Sequence, residues 1–191
     1  AGTTYTVLKS GQEDTPDSAN GAASVVVDKF LYYSWLHSVV RVYGASFDDI
    51  GQDYSSFGLP DGREGNTVYL DAYITNVLAA VDAGETGVSS VLIWDGLNWH
   101  ELLQGYEAGQ RIRMVKVQPC PRTRNMIWTN IGTELVYQEM PLMKRDPLLD
   151  SGMLYQHESV SESSIIDMGA ASDLPKFIKN LTATVKNLNA A

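Results

Sequence analysis

Apolar residues in this chain fall into short runs broken by turn residues, and few of them keep a helical spacing. Residues 89–103 read Ser-Ser-Val-Leu-Ile-Trp-Asp-Gly-Leu-Asn-Trp-His-Glu-Leu-Leu. Val91–Trp94 forms a bulky apolar run, Asp95-Gly96 interrupts it, and Trp99, Leu102 and Leu103 resume it. Two such runs joined by Asp-Gly predict a β-hairpin.

The same rhythm recurs in residues 28–51, 75–103 and 124–141. Strands are expected at Phe30–Tyr33, Val77–Ala80 and Met126–Trp128, each followed by a turn. Partner strands are expected at Ser38–Tyr43, Ser90–Trp94 and Glu134–Tyr137. The first strands start at Phe30, Val77 and Met126, a period of about 48 residues. A further strand is expected ahead of each unit, at residues 4–8, 65–74 and 110–118. Edge segments at residues 45–51 and 97–103 follow the first two units.

A repeat of about 40–50 residues holding about four strands is the signature of a propeller blade. One blade cannot bury both faces without neighbours. The expected fold is therefore all-β, a β-propeller-like array of about three blades. Propellers close with about 4–8 blades, so the array would belong to a larger or oligomeric propeller. A β-sandwich is the alternative that strands of this length also permit. Trp94 and Trp99 are expected to pack between blades.

Outside the repeats the pattern weakens. Residues 1–24 read as an N-terminal strand and polar arm, 25–141 as the blade repeats, and 142–164 as an irregular connector. Residues 165–191 read as a C-terminal strand or helix leading to another domain or subunit. Phe177, Ile178, Leu181, Val185 and Leu188 fit a helical spacing with Asp173 as N-cap. Leu181–Val185 also alternates as a strand, and its threonines favour that reading. The chain opens on Ala1, as expected of a processed chain or a piece of a longer one.

Composition agrees with an all-β reading. Hydrophobic residues make up 44% of the 191 positions, charged residues 19%, and Gly, Tyr and Trp number 16, 10 and 4. The net charge of −9 argues against a nucleic-acid partner, which needs a basic footprint. The basic residues Arg111, Arg113, Lys116, Arg122 and Arg124 are interleaved with Ile112, Met114, Val115 and Val117, the pattern of outward positions on an amphipathic strand. No membrane span is expected, since no apolar run reaches about 18 residues. The single cysteine, Cys120, lies between two prolines and excludes an intramolecular disulfide. No spacing places His37, His100 or His157 beside it as a catalytic base.

Three acidic loops are candidates for chemistry. The first carries Asp48, Asp49 and Asp53 with Tyr54, the second Asp61, Arg63 and Glu64, and the third Asp82 and Glu85. Paired carboxylates serve glycosidases and loop oxygens bind calcium, but adjacent Asp48 and Asp49 would point to opposite faces of a strand. No EF-hand spacing, phosphate loop, His-Glu-x-x-His or Gly-x-Ser-x-Gly motif occurs. Asp82 suits an Asx-turn between strands. No catalytic residue, cofactor or metal is expected. Asp48, Asp49, Asp53, Tyr54, Arg63, Asp82 and Glu85 are the candidate binding residues on loops 48–65 and 82–89.

Several of these residues follow one another in a distinctive order. Asp48-Asp49-Ile50-Gly51, Gly58-Leu59-Pro60 and Arg63-x-Gly65 precede Asp82-Ala83-Gly84, Ser89-Ser90, Leu92, Trp94, Gly96 and Trp99-His100-Glu101. Arg111-Ile112-Arg113 follows, then a tail at residues 173–181. This order resembles propeller-like virion proteins of tailed bacteriophages and their metagenomic relatives, over roughly residues 25–190. The resemblance implies a non-enzymatic structural or attachment component, tail-associated, whose partners are other virion subunits and a host surface glycan. It carries no catalytic residues. The alternative is a carbohydrate-binding or carbohydrate-active propeller presenting Trp94, Trp99, Tyr43 or Tyr54 to a sugar.

Overall fold

The computed structural model describes residues 18, 20–51, 64–120 and 124–140. The expected strand at 4–8 and the reading of 142–191 lie outside the described residues. Within them there are eleven strands and no helix. Strands β1 (Ser24–Val27), β2 (Phe30–Trp35), β3 (Ser38–Tyr43) and β4 (Ser46–Asp49) form a first sheet. A central sheet holds β5 (Asn66–Tyr73), β6 (Asn76–Asp82), β7 (Ser90–Trp94) and β8 (Trp99–Gln104). Strands β9 (Val115–Gln118), β10 (Met126–Ile131) and β11 (Glu134–Glu139) form a third sheet. Every pairing is antiparallel between sequence neighbours, so each sheet is a meander.

Three of the expectations need correction. The strand ahead of the first unit is β1, on Ser24–Val27, at the junction between the stretch read as a polar arm and the blade repeats. Its valines follow Ala22-Ala23-Ser24 closely, and Ala23 is held by the buried Ser34, whose Oγ accepts the Ala23 amide at 3.1 Å. The strand expected at 110–118 is restricted to Val115–Gln118. Ahead of it the Asn130 side chain replaces a ladder partner, accepting the Arg113 amide at 2.9 Å and donating to the Arg111 carbonyl at 3.0 Å. The third correction concerns register. The β1–β2 and β5–β6 turns both begin on a positive-φ residue, Asp28 and Ile74, each at 55°. Matching those turns makes Phe30 equivalent to Asn76, not to Val77. A one-residue slip sends every side chain to the opposite face.

With that register the stacking is directional. Tyr32 points from the first sheet into a core shared with Val77, Ala79, Val81, Leu92 and Trp94 of the central sheet. Its equivalent Leu78 points the other way, into a second core with Val115, Ile127 and Ile131 of the third sheet. The central sheet therefore buries both faces, and β6 is apolar without alternation, as a doubly covered strand must be. A sheet-on-sheet sandwich has one core; here two cores flank one sheet.

The two tryptophans of the central hairpin seal the first core. Their ring centroids are 5.4 Å apart, and they are 6% and 3% exposed. Trp99 donates its indole N–H to the Ile50 carbonyl, which joins the edge of the central sheet to the exit of β4. The Asp95-Gly96 turn is present as a four-residue loop, with Trp94 paired to Trp99. Asp95 Oδ1 accepts the amides of Leu97 and Asn98, each at 2.8 Å, and Oδ2 lies 2.8 Å from His100 Nε2.

Two outcomes follow from these turns. Ile74 is a β-branched residue at positive φ and is 64% exposed, so it carries strain with little packing in return. Ile74→Asn is expected to raise the unfolding free energy by about 1 kcal/mol in a denaturant titration. Partial burial pushes the Asp95 carboxyl up, but hydrogen bonds from Asn98, His100 and Leu97 outweigh it and hold the group below its ordinary value. Its ionised form is thus favoured by folding. That contribution is complete above the ordinary value and is lost as pH falls through the depressed one. Stability measured across that acid range should fall less steeply in Asp95→Asn than in the unaltered chain.

Candidate functional site

Turns in a meander alternate between the two ends of the strands. One end of the stack receives the β2–β3 turn, the β6–β7 turn and the connections 50–65 and 105–114 between sheets. Backbone hydrogen bonds stitch these pieces together. Thr67 donates to the Leu36 carbonyl at 3.3 Å, Gly105 to Ser89 at 2.8 Å, and Gly109 to Gly87 at 3.1 Å. The candidate loops 48–65 and 82–89 therefore leave the scaffold from the same end.

Both ends of the first of these loops are pinned by close approach. A Cβ at Gly51 would strike Ser38 at the start of β3. A Cβ at Gly65 would lie within 2.7 Å of Ala83 Cα, on the neighbouring loop. Only glycine lets the chain pass at those distances. Asp53, Tyr54 and Arg63 lie between these anchors, outside the described residues.

Strand β4 presents Asp48 and Asp49 on opposite faces, as the alternation required. Asp48 Oδ2 lies 2.9 Å from Arg41 Nη2, an exposed pair on adjacent strands. Asp49 accepts the Ser38 hydroxyl and the Gly51 amide. Both are thus engaged in holding the β3–β4 edge and the exit of the strand. They do not converge on a shared point, so they do not form a carboxylate pair across a bond.

Asp82 has the most constrained environment of the candidates. It ends β6, and its side chain is 4% exposed. Arg111 Nε donates to both carboxylate oxygens at 2.9 and 2.8 Å, and Nη2 lies 2.7 Å from Oδ2. The Gly84 amide adds a hydrogen bond at 3.0 Å, closing the expected Asx-turn. The carboxylate raises the Arg111 guanidinium above its ordinary value, through the hydrogen bond first and then through charge. Asp82 is therefore a fastener between the β6–β7 turn and the connection to the third sheet, and its oxygens are already spent. Glu85, three residues on, is exposed in the turn itself.

An open cleft lies beside this fastener, lined by His37, Glu64, Asn66, Asp82 and Arg111. It faces the end where the loops emerge. Among the described residues no three His, Cys, Asp or Glu side chains come together as a metal site. Cys120 is partly buried and free, and its amide donates to Asn125 Oδ1 at 2.9 Å. Of the four side chains considered for sugar stacking, Trp94 and Trp99 are buried and Tyr54 lies outside the described residues. Tyr43, 55% exposed, is left at the surface, its ring 5.3 Å from that of Phe30.

The interleaved pattern of residues 111–117 predicts Arg111 on the outward side of a strand and does not join it to Asp82. One signal was present. Leu78-Ala79-Ala80-Val81 leads straight into Asp82, and a carboxylate at the end of a fully buried strand requires a cation or several donors.

No family model, no curated protein and no solved structure matches this chain.

Asp82→Ala should lower the unfolding free energy. The lost Gly84 hydrogen bond alone contributes about 1 kcal/mol, and Arg111 loses its partner as well. Arg111→Ala should also destabilise, since it leaves the buried carboxylate with only a backbone donor. In a double-mutant cycle the two losses are expected to be strongly non-additive, because both remove the same pair.

Proposed function

We propose that this chain is a non-enzymatic, propeller-like structural or attachment component of a bacteriophage particle. It acts by holding loops 48–65 and 82–89 at one end of a rigid stack of sheets. The observation that carries the display reading is the gathering of these loops, with both sheet-to-sheet connections, on that end. A rigid scaffold with variable end loops is the usual way a β fold carries binding. The propeller-like reading is supported by the four-strand meanders, the repeat of about 48 residues and the directional stacking. The first strands β1, β5 and β9 also lie at corresponding edges, with β5 touching both of the others.

The virion assignment rests on the sequence resemblance. Under it, the partners are other virion subunits and a host surface glycan, and the chain reaches the outside of the cell as part of the particle. Asp48 and Asp49 are engaged by Arg41 and by Ser38 and Gly51 on opposite faces of β4, which supports a structural role for this carboxylate pair over glycan hydrolysis.

Purified particles encoded by a genome carrying this sequence are expected to contain the chain, detectable by mass spectrometry of their proteins. Glu85→Lys should weaken adsorption to the host about tenfold, equivalent to ~1.4 kcal/mol, while Glu107→Lys, on the neighbouring connection, serves as the control for a change of charge alone. Hydrolysis of a host polysaccharide by the isolated chain, abolished in Asp48→Ala or Asp49→Ala, would overturn the reading.

A further inference from the structure

The outward face of the third sheet carries Met126, Trp128, Leu135 and Tyr137. Trp128 is paired with Tyr137 across β10 and β11, and the two rings lie 5.1 Å apart. Leu135 and Tyr137 are 63% and 55% exposed. Matched by their turns, Tyr32 of the first sheet and Leu78 of the central sheet hold the position of Trp128. Those two residues are 6% and 0% exposed, each covered by the sheet that follows in sequence. The outward face of the third sheet is thus the repeat's standard covered face, and no described strand lies on it.

The sequence that follows has the pattern of a covering sheet. Strand β6 begins at Asn76 and β10 at Met126, an interval of 50 residues (126 − 76). Advancing the third unit by the same interval carries Val115 to Ile165, Ile127 to Phe177, Asn130 to Asn180 and Ile131 to Leu181. Val115, Ile127 and Ile131 are the residues with which the third sheet covers the central one, at 0%, 0% and 4% exposure. All three positions are again large and apolar. Lys179, at the place of the buried Thr129, departs from the pattern.

We propose that residues 164–186 begin a fourth sheet and lay Ile165, Phe177 and Leu181 over Met126, Trp128, Leu135 and Tyr137. The inference rests on the stacking of the described sheets and is independent of the display reading, whose test is host adsorption. It replaces a tail that leaves the repeats with one that continues them.

Amide hydrogen exchange on the full chain tests it. Amides within 177–186 are expected to exchange at least about 100-fold more slowly than an unstructured peptide of that sequence. Leu135→Asp and Tyr137→Asp alter side chains exposed enough to be tolerated if nothing covers them. Each is expected to abolish the slow exchange in 177–186 while Val77–Val81 stay protected. Phe177→Asp should do the same from the other side of the contact, without touching the described sheets. Fast exchange of 177–186 in the unaltered chain would overturn the proposal. So would protection that survives both face substitutions, or that arises only at concentrations where the chain dimerises.

Discussion

From Val77 to Val81 no residue of β6 is more than 1% exposed, and its side chains enter two different cores in turn. Val77, Ala79 and Val81 meet the first sheet, while Leu78 and Ala80 meet the third. Full burial of a Val or Leu side chain stabilises by roughly 1.5–3 kcal/mol, so this strand contributes to both interfaces at once. The paired alanines matter for a different reason. Small side chains on both faces let the flanking sheets approach closely over the middle of the strand. Neither outer sheet could keep its inner face dry if β6 were displaced.

Polar groups at the margins hold the stack in register. Asp82 continues β6 past its apolar stretch and is fastened to Arg111, which leads into the third sheet. Asp71 on β5 performs a similar task further along. Its Oδ2 accepts the Val117 amide at 2.9 Å and lies 3.1 Å from Lys116 Nζ, raising that ammonium's pKa. Trp99 and the Ile50 carbonyl join the first and central sheets at the opposite edge. These contacts add modest energy beside the cores. Hydrophobic burial is non-directional, however, and directed bonds of this kind fix one sliding position among many.

The strand positions were largely legible because the signal that marks them, short apolar runs with Gly- and Asp-containing turns, is local. Phe30–Tyr33, Ser38–Tyr43, Ser90–Trp94 and Met126–Trp128 all lie inside observed strands. The register between repeats was not legible. Val77 resembles Phe30 in hydrophobicity, and β6 gives no alternation by which to choose between its faces. Only the backbone at Asp28 and Ile74, both at φ 55°, resolves the choice, and an isoleucine does not advertise such a turn. Strand β1 was missed for a related reason, since four residues of Ser-Val-Val-Val beside a polar segment carry too little pattern. At the candidate site, the clustering of loops 48–65 and 82–89 followed from the repeat. The pairing of Asp82 with Arg111 spans 29 positions, and only burial of the carboxylate hinted at it.

Loop length is distributed unevenly between the two ends of the stack. The turns at 28–29, 44–45, 74–75 and 95–98 are short and close one end tightly, with 119–125 as the longer exception. The other end has short turns at 36–37 and 132–133, but it also takes both passages between sheets, at 50–65 and 105–114, and the extended turn at 83–89. In a meander of four strands a passage to the next sheet must leave from the end where the fourth strand finishes. Even strand number in the first and central sheets therefore sends both described inter-sheet connections to the same side. Insertions there disturb no strand pairing, because Gly51 and Gly65 fix where the first passage leaves and returns whatever lies between them. The concentration of long connections on one end is thus a consequence of strand count, and chain can change there without cost to the cores.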